Sequence, residues 1–104
     1  MEKPAESTYP IESLLQRRWS PRAFSERPIE RETLLSLLEA ARWAASCTNQ
    51  QPWSFIVASK EDSTEYGRLL SCLRENNQQW AGKAPLLMVS VAKLTFDANG
   101  QPNR

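Results

Sequence analysis

With 104 residues, 40% of them hydrophobic and 24% charged, the chain has the composition of one globular domain at most. Its net charge of +1 excludes a bulk electrostatic pull toward nucleic acid or anionic lipid, so affinity for an anion must come from local placement of arginine. The absence of histidine excludes Ser-His-Asp and Cys-His catalysis within these residues, and His-based zinc sites with them. Cys47 and Cys72 match neither a CxxC pair nor a zinc knuckle, so no metal site is predicted. No apolar run reaches the length of a membrane span, and the polar start Met1-Glu2-Lys3-Pro4 lacks the apolar core of a secretory signal. The expected setting is the cytoplasm, with reduced thiols.

Residues 1–9 are polar and are expected to be loose, leaving 10–104 as part of a single domain. Pro10 is a favourable helix start, and Ile11, Leu14 and Leu15 fall on one face. This helix should stop near Ser20, because Pro21 disfavours helical geometry in the residue before it. Pro21 to Pro28 reads as an extended connector with Phe24 as a buried anchor. The spacing of Leu34, Leu38, Ala41 and Ala45 predicts a helix over Glu30–Ala45, with Glu30 and Glu32 at the positive end of its dipole. Apolar residues on more than one face predict that this helix is well buried.

Trp53–Ser59 reads as a strand and Thr64–Leu73 as a helix. Asn76–Lys83 is expected to be a polar connector or weak helix carrying Trp80. Pro85–Ala92 is nearly continuously apolar, which predicts a central strand covered on both faces. Asp97-Ala98-Asn99-Gly100 is a turn signal. Two strands alone are a marginal sheet. A partner that supplies further strands, or a longer protein, is therefore expected.

Two segments carry candidate chemistry. Arg17, Arg18 and Arg22 surround Ser20; they read as a solvated helix end or as a fork of donors for phosphate. Trp19 between them reads as a packing residue. Arg42 to Ala58 takes an apolar helix through Ser46-Cys47-Thr48-Asn49, around a Gln51-Pro52-Trp53 corner and into a strand. Small residues allow a flat ligand to approach the backbone there, and Ser, Thr and Asn supply directed hydrogen bonds. The same composition suits an ordinary turn. Cys47 has no activating neighbour and is not read as a nucleophile. Glu61-Asp62 and Glu30/Glu32 fall at predicted helix starts, where capping accounts for them. Gly67, Gly82 and Gly100 form no glycine-rich phosphate loop.

Taken in order, Arg17-Arg18-Trp19-Ser20-Pro21-Arg22-Ala23-Phe24, Pro28-Ile29, the Leu-rich helix and Ser46-Cys47-Thr48-Asn49-Gln50-Gln51-Pro52-Trp53 resemble the nitroreductase family of FMN-dependent oxidoreductases. The similarity runs from Ile11 to the tail Asn99-Gly100-Gln101-Pro102-Asn103-Arg104, which looks like the loop before that family's central helix. The resemblance implies an α+β three-layer sandwich, incomplete in this chain, with helices on a mainly antiparallel sheet. It implies a homodimer with FMN at the interface and NAD(P)H as electron donor. It places Arg18, Trp19, Ser20 and Arg22 in the cofactor-binding segment: Arg18 at the phosphate, Ser20 near phosphate and ribityl, and Arg22 at the N1/C2=O pole. Ala45, Ser46, Cys47 and Asn49 would line the cofactor from the other subunit, and Asn77 is a further flavin-contacting candidate. No side chain of the chain is expected to act as a nucleophile or acid–base catalyst.

The family's members are longer, and Ala45 and Cys47 stand where Pro and Ser are frequent. The resemblance therefore implies a partial chain that binds FMN poorly alone. Nitroaromatics and quinones are the implied acceptors. The competing readings are a flavin-dependent dehalogenase or flavin-fragmenting enzyme of the same family, and a non-catalytic module that associates through exposed strands.

Overall fold

A computed structural model describes residues 2–103. Met1 and Arg104, the outer ends of the expected loose start and polar tail, lie outside the described residues. The elements run α1 (Ser13–Arg17), α2 (Arg31–Arg42), a 3-10 turn (Cys47–Asn49), β1 (Trp53–Ser59), α3 (Ser63–Ser71), α4 (Glu75–Ala81) and β2 (Leu86–Ala92).

β1 and β2 pair antiparallel along their full length, from Trp53 opposite Ala92 to Ser59 opposite Leu86. The α3–α4 helical pair connects them, and α3 packs against both strands. Asp62 starts α3 by accepting the Glu65 N–H at 3.4 Å, satisfying one of the helix's orphan donors. This is the capping role expected of the Glu61-Asp62 pair. Tyr66 then fixes α3 to the turn before β2. Its ring is 5% exposed, and its hydroxyl donates to the Ala84 carbonyl at 2.5 Å, with the Ala81 carbonyl at 3.3 Å. Burial raises the Tyr66 pKa above its ordinary value of 10.0, because the interior disfavours the phenolate. Gly82 permits the close turn: a Cβ there would lie 2.9 Å from the Gln78 carbonyl oxygen and 3.3 Å from Leu70.

Among the described residues the buried apolar ones are Tyr66, Ala81 and Ala84 at this junction and Ala58 on β1. The rest of the chain spreads around them. The radius of gyration is 16.9 Å, against about 13 Å for a compact domain of this length.

Several expectations are corrected here. The first helix begins at Ser13, not Pro10, and ends at Arg17; Arg18 is already extended at φ −66° and ψ 136°. In the N-terminal arm, two hydrogen bonds join Ala5 to Gln16, the Ala5 N–H donating to the Gln16 carbonyl and the Gln16 side chain donating to the Ala5 carbonyl. α2 stops at Arg42, three residues before Ala45, and has no buried residue. Its apolar groups point to several faces, but only Leu34, Leu38 and Ala41 are half-buried, while Leu35 and Leu37 are exposed. β2 is not covered on both faces, since Met88 to Ala92 are exposed. Phe24 is half-buried, stacked on Trp80 with ring centroids 6.2 Å apart. Of the two forms expected for 76–83, connector or weak helix, the structure has the helix, over Glu75–Ala81.

Candidate functional site

The first candidate segment follows α1. Pro21 keeps the chain extended after Arg17, so Arg17, Arg18, Ser20 and Arg22 stand exposed in sequence. Arg18 Nη1 donates to Ser20 Oγ at 3.4 Å. The ion pairs among the described residues are Glu39–Arg42, Glu65–Arg68 and Lys93–Asp97, so no carboxylate neutralises Arg17, Arg18 or Arg22. Trp19 is half-buried, with the Lys3 ammonium 5.1 Å from its ring centroid, which fits a packing role.

The second segment is the loop between α2 and β1. Ser46 is extended, and the chain then makes one 3-10 turn. Thr48, Asn49 and Gln51 hold left-handed conformations, with φ of 50°, 54° and 46°. Each costs on the order of 1 kcal/mol or more, least for Asn. The loop's own bonds offset this. Ser46 Oγ accepts the Gln51 N–H at 3.0 Å, and the Ser46 carbonyl accepts the Asn49 N–H at 3.1 Å. Asn49 Oδ1 accepts from Gln51 Nε2 at 3.3 Å, and the Thr48 hydroxyl donates to the Cys47 carbonyl at 2.8 Å.

This pattern decides what the loop offers a ligand. Ser46 Oγ is engaged as an acceptor, so its hydroxyl proton remains to donate. Asn49 has its carbonyl engaged and its NH2 group free. Thr48 has spent its only donor. Ala45, Cys47 and Asn49 are exposed and add no bulk. The shelf therefore presents donors, which complements a planar ligand edged with carbonyls and ring nitrogens. Asn77 on α4 behaves alike: its Oδ1 accepts from Trp80 Nε1 at 3.2 Å, leaving the amide N–H groups.

The Phe24–Trp80 stack lays the connector carrying Arg22 on the helix carrying Asn77. Among the described residues, no hydrogen bond joins the Ala45–Asn49 shelf to them. The bonds of Arg18 and Ser20 stay within their own segment. A cavity of about 810 Å³ lies between the start of α2 and the strand ends, floored by Ile29, Leu34, Val57 and Leu86. Another of about 330 Å³ is lined by Leu38, Arg42, Gln51, Trp53 and Phe55. Neither contains Arg18, Ser20, Arg22, Asn77 or any of Ala45–Asn49. Both are gaps under the loosely seated α2, and the chemistry-bearing groups lie outside them.

A sequence model of the nitroreductase family matches residues 15–99. The chain belongs to the nitroreductase family. Over 74 residues it is 33% identical to a Streptomyces coelicolor protein assigned as an NADH dehydrogenase/NAD(P)H nitroreductase, covering 71% of this chain and 36% of that one. Over 55 residues it is 38% identical to the major NAD(P)H-flavin oxidoreductase of Aliivibrio fischeri, covering 52% and 25%. Its fold superimposes on the crystal structure of an oxidoreductase containing FMN with a TM-score of 0.83 and 38% identity, over 95% of this chain and 50% of that one. The chain thus spans half or less of the length of these nitroreductase relatives. The α+β architecture with an antiparallel sheet agrees with the resemblance read from sequence. Gln50-Gln51-Pro52-Trp53 reads from sequence only as a structural corner; the bonds by which Gln50 and Gln51 shape the shelf have no sequence signal of their own.

Proposed function

We propose that these residues form the cofactor-holding part of an NAD(P)H-dependent FMN oxidoreductase that passes hydride through flavin to small electrophiles such as nitroaromatics and quinones. The observation that carries this reading is the pairing of unneutralised arginines at 17, 18 and 22 with free donors on Ser46 and Asn49, in a nitroreductase-family chain. These groups fit FMN chemically. Guanidinium forks suit its phosphate, and hydroxyl and amide donors suit its ring carbonyls and nitrogens.

When bound, FMN supplies a ring that accepts and returns a hydride. The chain's residues bind and orient it. Arg18 holds the phosphate, with Ser20 beside it, and Arg22 adds positive charge at the N1/C2=O pole, where electron density rises on reduction. Ala45, Ser46, Cys47 and Asn49 form the shelf, and Asn77 adds an amide donor. A homodimer fits this division, because the arginine clamp at residues 17–22 shares no hydrogen bond with the shelf within one copy and Leu35, Leu37, Val89 and Val91 are exposed. The 104 residues alone then bind FMN weakly, and a cytoplasmic setting suits the two free thiols. The same exposed apolar groups favour, as a second reading, a module that associates without catalysis.

Quenching of FMN fluorescence by the chain, with Arg18→Gln alongside, separates the two. A saturable titration weakened at least roughly tenfold by the substitution supports the flavin reading. Association of copies without saturable quenching supports the second.

A further inference from the structure

The segment after β2 has no role in the clamp or shelf, yet it is built as a small hairpin. Thr95 bridges Pro102, the Asn103 N–H donates to the Leu94 carbonyl at 2.8 Å, and the Phe96 N–H donates to the Gln101 carbonyl at 2.9 Å. The Gly100 N–H closes the turn on the Phe96 carbonyl at 2.9 Å, with Gly100 at φ 68°. This hairpin reaches back to the shelf at two places. The Lys93 N–H at its base donates to the Pro52 carbonyl at 2.5 Å. The Asp97 N–H at its turn donates to Gln50 Oε1 at 3.3 Å, across 47 residues of sequence. Most other side-chain bonds in the chain are local, and the further long-range ones belong to the Tyr66 junction.

Gln50 sits between Asn49 and Gln51, two of the three left-handed residues, and is half-buried while both neighbours are exposed. The bonds inside the loop link its members to one another; Gln50 and Pro52 tie them to the sheet end. We propose that Gln50 is a positioning residue, which fixes the Ser46–Asn49 shelf by latching it to the 94–103 hairpin. Its effect on a ligand rests on the reading that the shelf holds a cofactor. The latch itself does not. Through it, the hairpin turn sets the orientation in which Ser46 and Asn49 present their donors.

Gln50→Leu removes the acceptor at similar size, and Gln50→Glu keeps an acceptor at the same reach. Amide-resolved hydrogen exchange on the full 104-residue chain reads the latch directly. In Gln50→Leu, the Asp97 amide is expected to exchange roughly tenfold faster. The Asn49 and Gln51 amides should accelerate with it, although their own acceptors on Ser46 are untouched. The unfolding midpoint should stay unchanged, and Gln50→Glu should restore the slow exchange. Titrated with FMN, Gln50→Leu should bind severalfold more weakly than the parent chain. Asp97 exchanging at the parent rate in Gln50→Leu overturns the proposal, as does acceleration confined to Asp97. If the parent chain binds no FMN, the cofactor reading fails, while the exchange data still decide whether the latch exists.

Discussion

The Tyr66 junction and the two segments proposed to hold the cofactor are built on opposite plans. At the junction, one buried phenol joins α3 to the α4–β2 turn by bonds spanning 15 and 18 residues, to the carbonyls of two buried alanines. In the clamp and most of the shelf, polar side chains are exposed and bond only to near neighbours. The junction therefore carries the stability of the chain. The clamp and shelf carry groups whose donors and charges are left unspent. Binding surface is cheapest to keep open where folding does not depend on it.

Substitutions can break this contrast or sharpen it. Tyr66→Ala should be the most damaging, at about 3–5 kcal/mol from the lost ring and the Ala84 carbonyl left unpaired, enough to unfold a domain with so small a core. Loss of the far-ultraviolet circular dichroism signal in buffer would register it. The same residue predicts a pH dependence. Its folded pKa is raised, so its stabilisation is complete below pH 10, the unfolded value, and is lost as pH rises through the folded one. Urea midpoints should fall above pH 10 in the parent chain. In Tyr66→Phe that fall should be smaller.

Gly82→Ala comes next, at about 1–3 kcal/mol, because the new methyl meets backbone at the Gln78 carbonyl, which cannot swing aside as a side chain would. Asp62→Ala removes the α3 cap and should cost about 1 kcal/mol by urea denaturation. Arg18→Gln should shift the urea midpoint least, by less than about 0.5 kcal/mol in stability, while weakening FMN. A large loss of stability from Arg18→Gln would erase the distinction between the regions.

The sequence was most readable where a residue's role is local. Trp53–Ser59 has the alternation and apolar run of a strand, and β1 occupies those residues. Asp62 and Glu65 carry the signature of a helix start, and the cap is there. Features that depend on distant partners were hidden. Leu35 and Leu37 look like core residues, but apolar patterning states what can be buried and not whether anything covers it. The Tyr66 latch uses backbone carbonyls of Ala81 and Ala84, which have no side-chain signature. For the proposed site, the sequence showed the residue types and order of Arg18, Ser20, Arg22 and the shelf residues. The left-handed turn was not legible, since Asn49 tolerates it but Thr48 and Gln51 do not advertise it.

Hydrogen exchange across the whole chain, with and without saturating FMN, tests the central claim most directly. The account predicts slow exchange in β1, α3, α4 and β2 in both conditions. Residues 17–22 should exchange fast without FMN and slowly with it, while residues 45–51, held by the loop's own bonds, should exchange at a rate between those and the Tyr66 junction and slow further with FMN. Protection by FMN confined to the Ile29–Leu34 cavity, or free-state protection as strong in the clamp and shelf as at the Tyr66 junction, would contradict it.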